Sequence, residues 1–221
     1  MVTARSIAAP QEMPYTMLDG LRFAIPSTGV VLGRDAAGNA VQASLFAPGA
    51  TTVTYIGGWW AVQLIVLRCL AIGAVLQIDA IDTDTPARAG ALAGLHEWLA
   101  LARPVGGGAQ PATPDRPVLH VRDLGPSGPT EAPPPAPWQT TLTVLSRVTP
   151  ANHDIVEAAD VVLSQRLDPR EAAVVASARL LTPEFAREVG AMDNETIAAS
   201  RPRAVRYVRL CPTTVERQLF G

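Results

Sequence analysis

Thr51-Thr-Val-Thr-Tyr-Ile56-Gly57-Gly58-Trp59-Trp60-Ala-Val62-Gln63-Leu64-Ile-Val-Leu-Arg68-Cys69-Leu-Ala-Ile72-Gly73-Ala74-Val-Leu-Gln-Ile-Asp79 is the stretch that decides the fold. Thr51 to Ile56 is rich in β-branched residues and predicts a strand. Gly57-Gly58 predicts a turn. Trp59 to Ile72 predicts a helix that is apolar almost all round, hence buried on most sides. Gly73 is placed to end that helix. Ala74 to Ile81 predicts a continuous apolar strand, closing on Asp79 and Asp82. This is a βαβ unit, and a continuous apolar strand belongs in a parallel sheet covered on both faces. The run is about long enough to cross a bilayer. Arg68 near its centre, Gln63 and the glycines speak against a membrane span.

Upstream, residues 1–24 predict a flexible arm interrupted by Pro10 and Pro14, with Met13, Tyr15, Met17 and Leu18 able to pack on the body. The single α/β domain spans 25–221. It starts with a hairpin from Gly29 to Phe46 that turns at Asp35 to Asn39. Downstream, Pro86 to Ala102 predicts a helix, Arg116 to Leu124 a strand, and Gly125 to Pro137 a Pro-rich loop. Thr140 to Val148 and Asp160 to Gln165 predict strands around a short helix or turn. Asp168-Pro169-Arg170-Glu171 opens a helix with an acidic cap, proline in the first turn and glutamate three residues on. Thr182-Pro183-Glu184-Phe185 opens another, and Arg203 to Cys211 is read as the last strand. The expected architecture is a doubly wound, mostly parallel α/β sheet with an N-terminal β-hairpin.

The 221 residues are 48% hydrophobic and 17% charged, enough apolar material for a core. All 18 basic residues are arginine, which excludes Schiff-base chemistry, a lysine general base and a P-loop lysine. A formal net charge of -2 and scattered arginines argue against nucleic acid as a partner. Arg203, Arg206 and Arg209 recur every third residue on a strand, so they alternate faces. Cys69 and Cys211 are read as two buried thiols of a reducing compartment. The first twenty residues hold no secretory signal, which gives a cytoplasmic expectation.

Motifs of catalysis are missing: no Gly-x-Ser-x-Gly, His-Glu-x-x-His, Cys-x-x-Cys or Gly-x-Gly-x-x-Gly occurs. His96, His120 and His153 have no metal-ligand spacing, so no metal and no cofactor are expected. His120 is read as a packed or edge histidine, and Asp154 and Glu157 beside His153 as helix-start acids. The informative place is the turn after Ile56, because phosphate sites form where a strand of an α/β sheet meets a helix. A P-loop there needs Gly-x-x-x-x-Gly-Lys-[Ser/Thr]. In register from Gly57 and Gly58, the second glycine is Val62, the lysine Gln63 and the hydroxyl Leu64. Asp123 ends an apolar strand, as the second acid of a nucleotide site would, but Leu124 follows it where a catalytic glutamate would stand.

Gly29-Val-Val-Leu-Gly-Arg-Asp-Ala-Ala-Gly-Asn-Ala-Val41, Leu45 and Thr51 to Gly58 together resemble the entry to motor ATPases of the FtsK/EccC class. Ala159 to Leu167 is similar to the late strand of that class. Gly57-Gly58-Trp59, Leu67 to Ala71, Pro137 to Thr140 and Pro212 to Glu216 resemble small actinobacterial proteins associated with type VII (ESX) secretion. The resemblance covers residues 27–221. It implies a P-loop NTPase fold and a protein partner, a component of a type VII secretion motor, with peripheral attachment to the inner membrane through that partner. ATPase activity does not carry over, since the loop departs at Val62, Gln63 and Leu64. The expected role is a non-hydrolysing pseudo-ATPase that binds or scaffolds. An α/β enzyme of another activity, or a structural protein without ligand, stays open beside it. Trp59 and Trp60 either belong to the core, fill the vacated phosphate pocket or anchor a partner. Thr213 and Glu216 have capping-box spacing, so a short helix carries Leu219 and Phe220 onto the body near Gly57-Gly58 or onto a partner.

Overall fold

The computed structural model describes residues 29–80, 111–123 and 134–220. The arm at 1–24, the helix expected over 86–102 and most of the Pro-rich loop lie outside the described residues.

The described residues open with β1 (Val30–Arg34) and β2 (Ala40–Ala43), then β3 (Thr51–Ile56), α1 (Trp59–Ala71) and β4 (Val75–Ala80). Next come β5 (Val118–Asp123), β6 (Gln139–Leu145), a single 3-10 turn (Pro150–Asn152), α2 (His153–Ala158) and β7 (Val161–Ser164). The chain closes with α3 (Pro169–Arg179), α4 (Glu184–Gly190), β8 (Thr196–Arg201), β9 (Ala204–Arg209) and α5 (Thr214–Phe220).

These strands form one sheet in the order β2-β1-β9-β8-β7-β3-β6-β5-β4. The block β7-β3-β6-β5-β4 is parallel throughout. From β7 to β2 every pairing is antiparallel, and the N-terminal hairpin joins the sheet through Arg34 and Arg209. The sequence reading missed β8. Thr196-Ile-Ala-Ala-Ser-Arg201 carries two alanines and runs into Pro202, so its local signal is that of a loop. Its strand character comes from β7 on one side and β9 on the other.

Strand residues alternate between two apolar layers, as the pleat requires. Val53, Tyr55, Leu142, Val144 and Leu163 point to the layer that holds α1. Ile56, Leu145 and Val162 point to the opposite layer, against Val156 of α2, Val175 of α3 and Phe185 of α4. Six residues of α1 are buried: Ala61, Val62, Leu64, Ile65, Val66 and Cys69. That wide arc has the sheet on one side and Val30 and Leu32 of β1 in the same cluster. Burial on most sides follows, as expected, with Ala71 exposed at the helix end, and no helix among the described residues is long and apolar enough to cross a membrane.

Local signals that need no tertiary information came through as read. Asp168 Oδ1 accepts the N–H groups of Arg170 and Glu171, and the Glu171 carboxylate accepts the N–H of Asp168 at 3.0 Å. Gly73 adopts φ 88°, a conformation glycine adopts without a side-chain penalty, and the N–H groups of Gly73 and Ala74 close α1 on Leu70 and Cys69. Arg206 pairs with Ala199 and Arg209 with Thr196, so the two arginines leave β9 on opposite faces. Cys211 corrects the expectation of two buried thiols: Cys69 is buried but Cys211 is exposed. The chain turns out of β9 there, with φ 44° at Cys211.

Candidate functional site

β3 lies between β6 and β7, with Ile56 paired to Leu145 on one side and Ser164 on the other. The connection out of β3 runs through α1 to β4, past β6 and β5. The connection out of β6 runs through α2 to β7, in the opposite direction. The carboxyl end of β3 is therefore at the point where the winding reverses, the usual ligand crevice of an open α/β sheet.

Two residues, Gly57 and Gly58, make the whole turn between β3 and α1. The N–H of Gly57 donates to Leu145 O at 3.0 Å. The N–H of Gly58 donates to Gln165 Oε1 at 2.8 Å. The backbone N–H of Gln165 donates to Ile56 O at 2.9 Å, and its side-chain Nε2 to Asn194 O at 2.9 Å. The Tyr55 hydroxyl donates to Gly58 O at 3.0 Å. Burial pushes the Tyr55 phenol well above its ordinary value, so it stays a neutral donor. Gly57 is confined by these partners: its φ is 150°, and a Cβ there meets Gln165 Oε1 at 2.6 Å and the Tyr55 hydroxyl at 2.8 Å. The carboxamide of Gln165 thus lies against Gly57 and takes the Gly58 N–H, a donor of the kind a bound anion would use.

The remaining positions of the P-loop register are already helical. Val62 and Leu64 are fully buried in the α1 layer. Gln63 between them is half-buried. Neither an ammonium nor a hydroxyl is offered where β- and γ-phosphates and a magnesium ion would sit. Asp123 is buried at the end of β5, in register with Ala80 of β4 and Val144 of β6. Since β6 separates β5 from β3, Asp123 stands about 10 Å from the line of β3. His120 is packed within the sheet.

Trp59 and Trp60 are half-buried and pack against the core layer of α1. The indole Nε1 of Trp59 is buried with no hydrogen-bond partner among the described residues. Leu219 and Phe220 are half-buried, and Phe220 packs on the same layer. The capping box of α5 is formed: Thr213 N–H donates to Glu216 Oε2 at 2.7 Å, and Glu216 N–H to Thr213 Oγ1 at 3.2 Å. Glu216 of this helix is also paired with Arg68 in the last turns of α1. Asp154 and Glu157 each lie 3.7 Å from His153 Nδ1, exposed on α2.

Three residues that matter here were not singled out as site or anchor in the sequence: Gln165, Arg68 and Arg179. Arg68 left a trace, a lone charge in an apolar helix. Arg179 is fully buried, and its guanidinium donates to the carbonyls of Val156, Glu157, Ala159 and Asp160 where α2 ends. Gln165 left none, because its role depends on β7 lying beside β3.

No protein-family model matches the chain, and no curated protein matches it. Solved structures do. VirB4 of Thermoanaerobacter pseudethanolicus superposes with a TM-score of 0.53 at 9% identity, over 87% of this chain and 99% of that one. The cytoplasmic domain of the Thermomonospora curvata type VII secretion ATPase EccC gives 0.45 at 12% identity, over 96% of this chain and 35% of that one. The genome packaging NTPase B204 of Sulfolobus turreted icosahedral virus 2, in complex with AMP, gives 0.43 at 10% identity, over 76% of this chain and all (100%) of that one. At such identities the likeness is one of fold. The nine-stranded sheet with its parallel core and the match to VirB4 give this chain a mixed α/β fold of the P-loop ATPase type.

Proposed function

We propose that this protein is a non-hydrolysing, ATPase-like binding or scaffold component that works beside a type VII secretion motor. The observation that supports this most is the closed turn: Gly58 N–H is held by Gln165 Oε1 at 2.8 Å. A phosphate-cradling loop needs several free backbone N–H groups, a lysine and a hydroxyl. Here the loop is two residues long and Val62 and Leu64 face the core. The link to type VII secretion rests on the sequence segments around Gly57, Leu67, Pro137 and Pro212. On this reading the protein acts in the cytoplasm, reaches the inner membrane through its partner, and binds neither nucleic acid nor metal.

Phosphate release from ATP or GTP by highly purified protein tests the first half. The expected rate is indistinguishable from buffer. A rate abolished by Asp123→Asn contradicts the reading. Capture of an EccC-type motor protein by the immobilised full chain tests the second half.

A further inference from the structure

Across the sheet from α1, in the layer of α2 and α3, the connection out of β6 and the first turns of α3 enclose a cleft of about 820 Å³. Val148, Pro150, Ala173 and Val174 supply its apolar lining, and Arg147 and Arg170 stand beside them. A volume of this size belongs to sites that take an organic ligand and is far above the space one ion needs.

The charged groups of the lining are not equivalent. Both carboxylates are committed to the backbone. Asp168 Oδ1 accepts the N–H groups of Arg170 at 2.7 Å and Glu171 at 2.9 Å. Glu171 Oε2 accepts the N–H of Asp168 at 3.0 Å, and its Oε1 that of Val148 at 3.4 Å. The guanidiniums are not committed. The Arg147 side chain is 76% exposed and its Nε stays 4.0 Å from Glu171 Oε1, beyond hydrogen-bond reach. The exposed Arg170 side chain has no hydrogen bond or ion pair among the described residues. Both arginines lie near one carboxylate: the Glu171 N–H holds the Asp168 carboxyl below its ordinary value, and the charges of Arg147 and Arg170 add to that effect. The unmet capacity of the cleft is therefore that of two planar donor forks beside an apolar wall, and a carboxylate fits such a fork. A nucleic acid asks for a broad basic surface, and the two fixed carboxylates oppose a chain of phosphates.

We propose that this cleft docks an acidic, partly apolar peptide segment of a partner protein, with Arg147 and Arg170 pairing with its carboxylates and Val148, Pro150 and Val174 receiving its apolar side chains. The inference goes beyond the proposed function. It rests neither on the Gly57–Gly58 turn nor on a motor as the partner, so it is decided separately from that reading.

Fluorescence anisotropy of a labelled hexapeptide of alternating glutamate and leucine, titrated with the full chain, tests this. A hexapeptide of alternating lysine and leucine and a single-stranded oligodeoxynucleotide serve as comparison probes. The glutamate peptide alone binds saturably, and the double variant Arg147→Glu/Arg170→Glu weakens it about tenfold or more. Both side chains are exposed, so the double variant melts where the wild type does. Ala173→Glu, on the exposed side of α3, weakens the same binding and decides the matter if the double variant is unfolded. Arg147→Lys/Arg170→Lys keeps the charge without the fork and binds between the two extremes. Three results overturn the proposal: no saturable binding of the glutamate peptide up to about 1 mM, equal binding by the folded double variant, or equally tight binding of the lysine peptide or the oligonucleotide.

Discussion

Arg68 and Glu216, 148 positions apart in the chain, form a two-pronged ion pair with Nε to Oε1 at 2.6 Å and Nη2 to Oε2 at 2.9 Å. The side chains are only 14% and 6% exposed. Arg68 also donates to the carbonyls of Val31, Leu32 and Leu210. One guanidinium therefore joins α1, β1, the end of β9 and α5. The planar five-donor fork suits this task, and a lysine offers no such geometry.

Removing either partner leaves a buried charge without compensation. Arg68→Ala is expected to destabilise the protein by about 3–5 kcal/mol, the range for breaking a buried pair from one side. Arg68→Lys recovers a minority of that loss. Equilibrium denaturant unfolding measures both. A loss below about 1 kcal/mol for Arg68→Ala is the value of a surface ion pair and contradicts the anchoring role.

The same pair makes stability depend on pH in a defined direction. Burial alone raises the Glu216 carboxyl; the bond and charge of Arg68 and the Thr213 N–H outweigh it and hold the group below its ordinary value. A lowered folded-state value means stability that is present above the unfolded value and is lost as pH falls through the folded one. The stability gap between wild type and Glu216→Gln is therefore constant at neutral pH. It shrinks as pH drops below the ordinary glutamate value of 4.5. A gap that widens on acidification contradicts the assignment. The difference between variants is the quantity to follow, because Asp35, Asp168, Glu184 and Asp193 are also lowered and shape the acid limb of wild type.

Arg179 is the second keystone. It is fully buried in α3 and takes up four carbonyls at the end of α2 and the entry to β7. Carbonyls at a helix end have no partner within the helix, and buried ones left bare cost about 1–3 kcal/mol each at most. Arg179→Ala is expected to lose at least about 3 kcal/mol, measured by thermal or denaturant unfolding, and Arg179→Lys to rescue it poorly. Full rescue by lysine contradicts the four-carbonyl geometry.

How far the sequence led can be traced through these residues. The βαβ unit from Thr51 was legible because its periods, its two glycines and its length are local. So were the caps at Asp168 and Thr213, where a hydroxyl or carboxylate three residues from a glutamate carries its own mechanism. The departure of residues 57–64 from the P-loop pattern was legible because that pattern is contiguous in sequence. β8 was not, since Ala198 and Ala199 state no preference and the strand exists through its neighbours. Gln165 and Arg179 were not, because each acts across a pairing or a helix contact that only the assembled sheet creates. Arg68 was noticed for what it excluded, and its positive role needed Glu216 beside it.

The closed turn also predicts its own fragility. Gln165→Ala removes the acceptor of Gly58 N–H and the donor to Asn194, an expected cost of about 1–2 kcal/mol. Gly57→Ala places a methyl against Gln165 and Tyr55 at a φ of 150° and is expected to cost more. Unfolding of the two variants side by side checks the order. A neutral Gly57→Ala shows that the turn is not closed as described.

The central claim, that the crevice at the end of β3 is closed to nucleotide by the chain's own Gln165, is tested most directly by isothermal titration of Mg-ATP into the full-length protein. The account predicts no saturable binding, with any interaction weaker than about 1 mM, or roughly 4 kcal/mol of binding free energy. Saturable binding of about 10 µM or tighter, lost in Asp123→Asn, contradicts it.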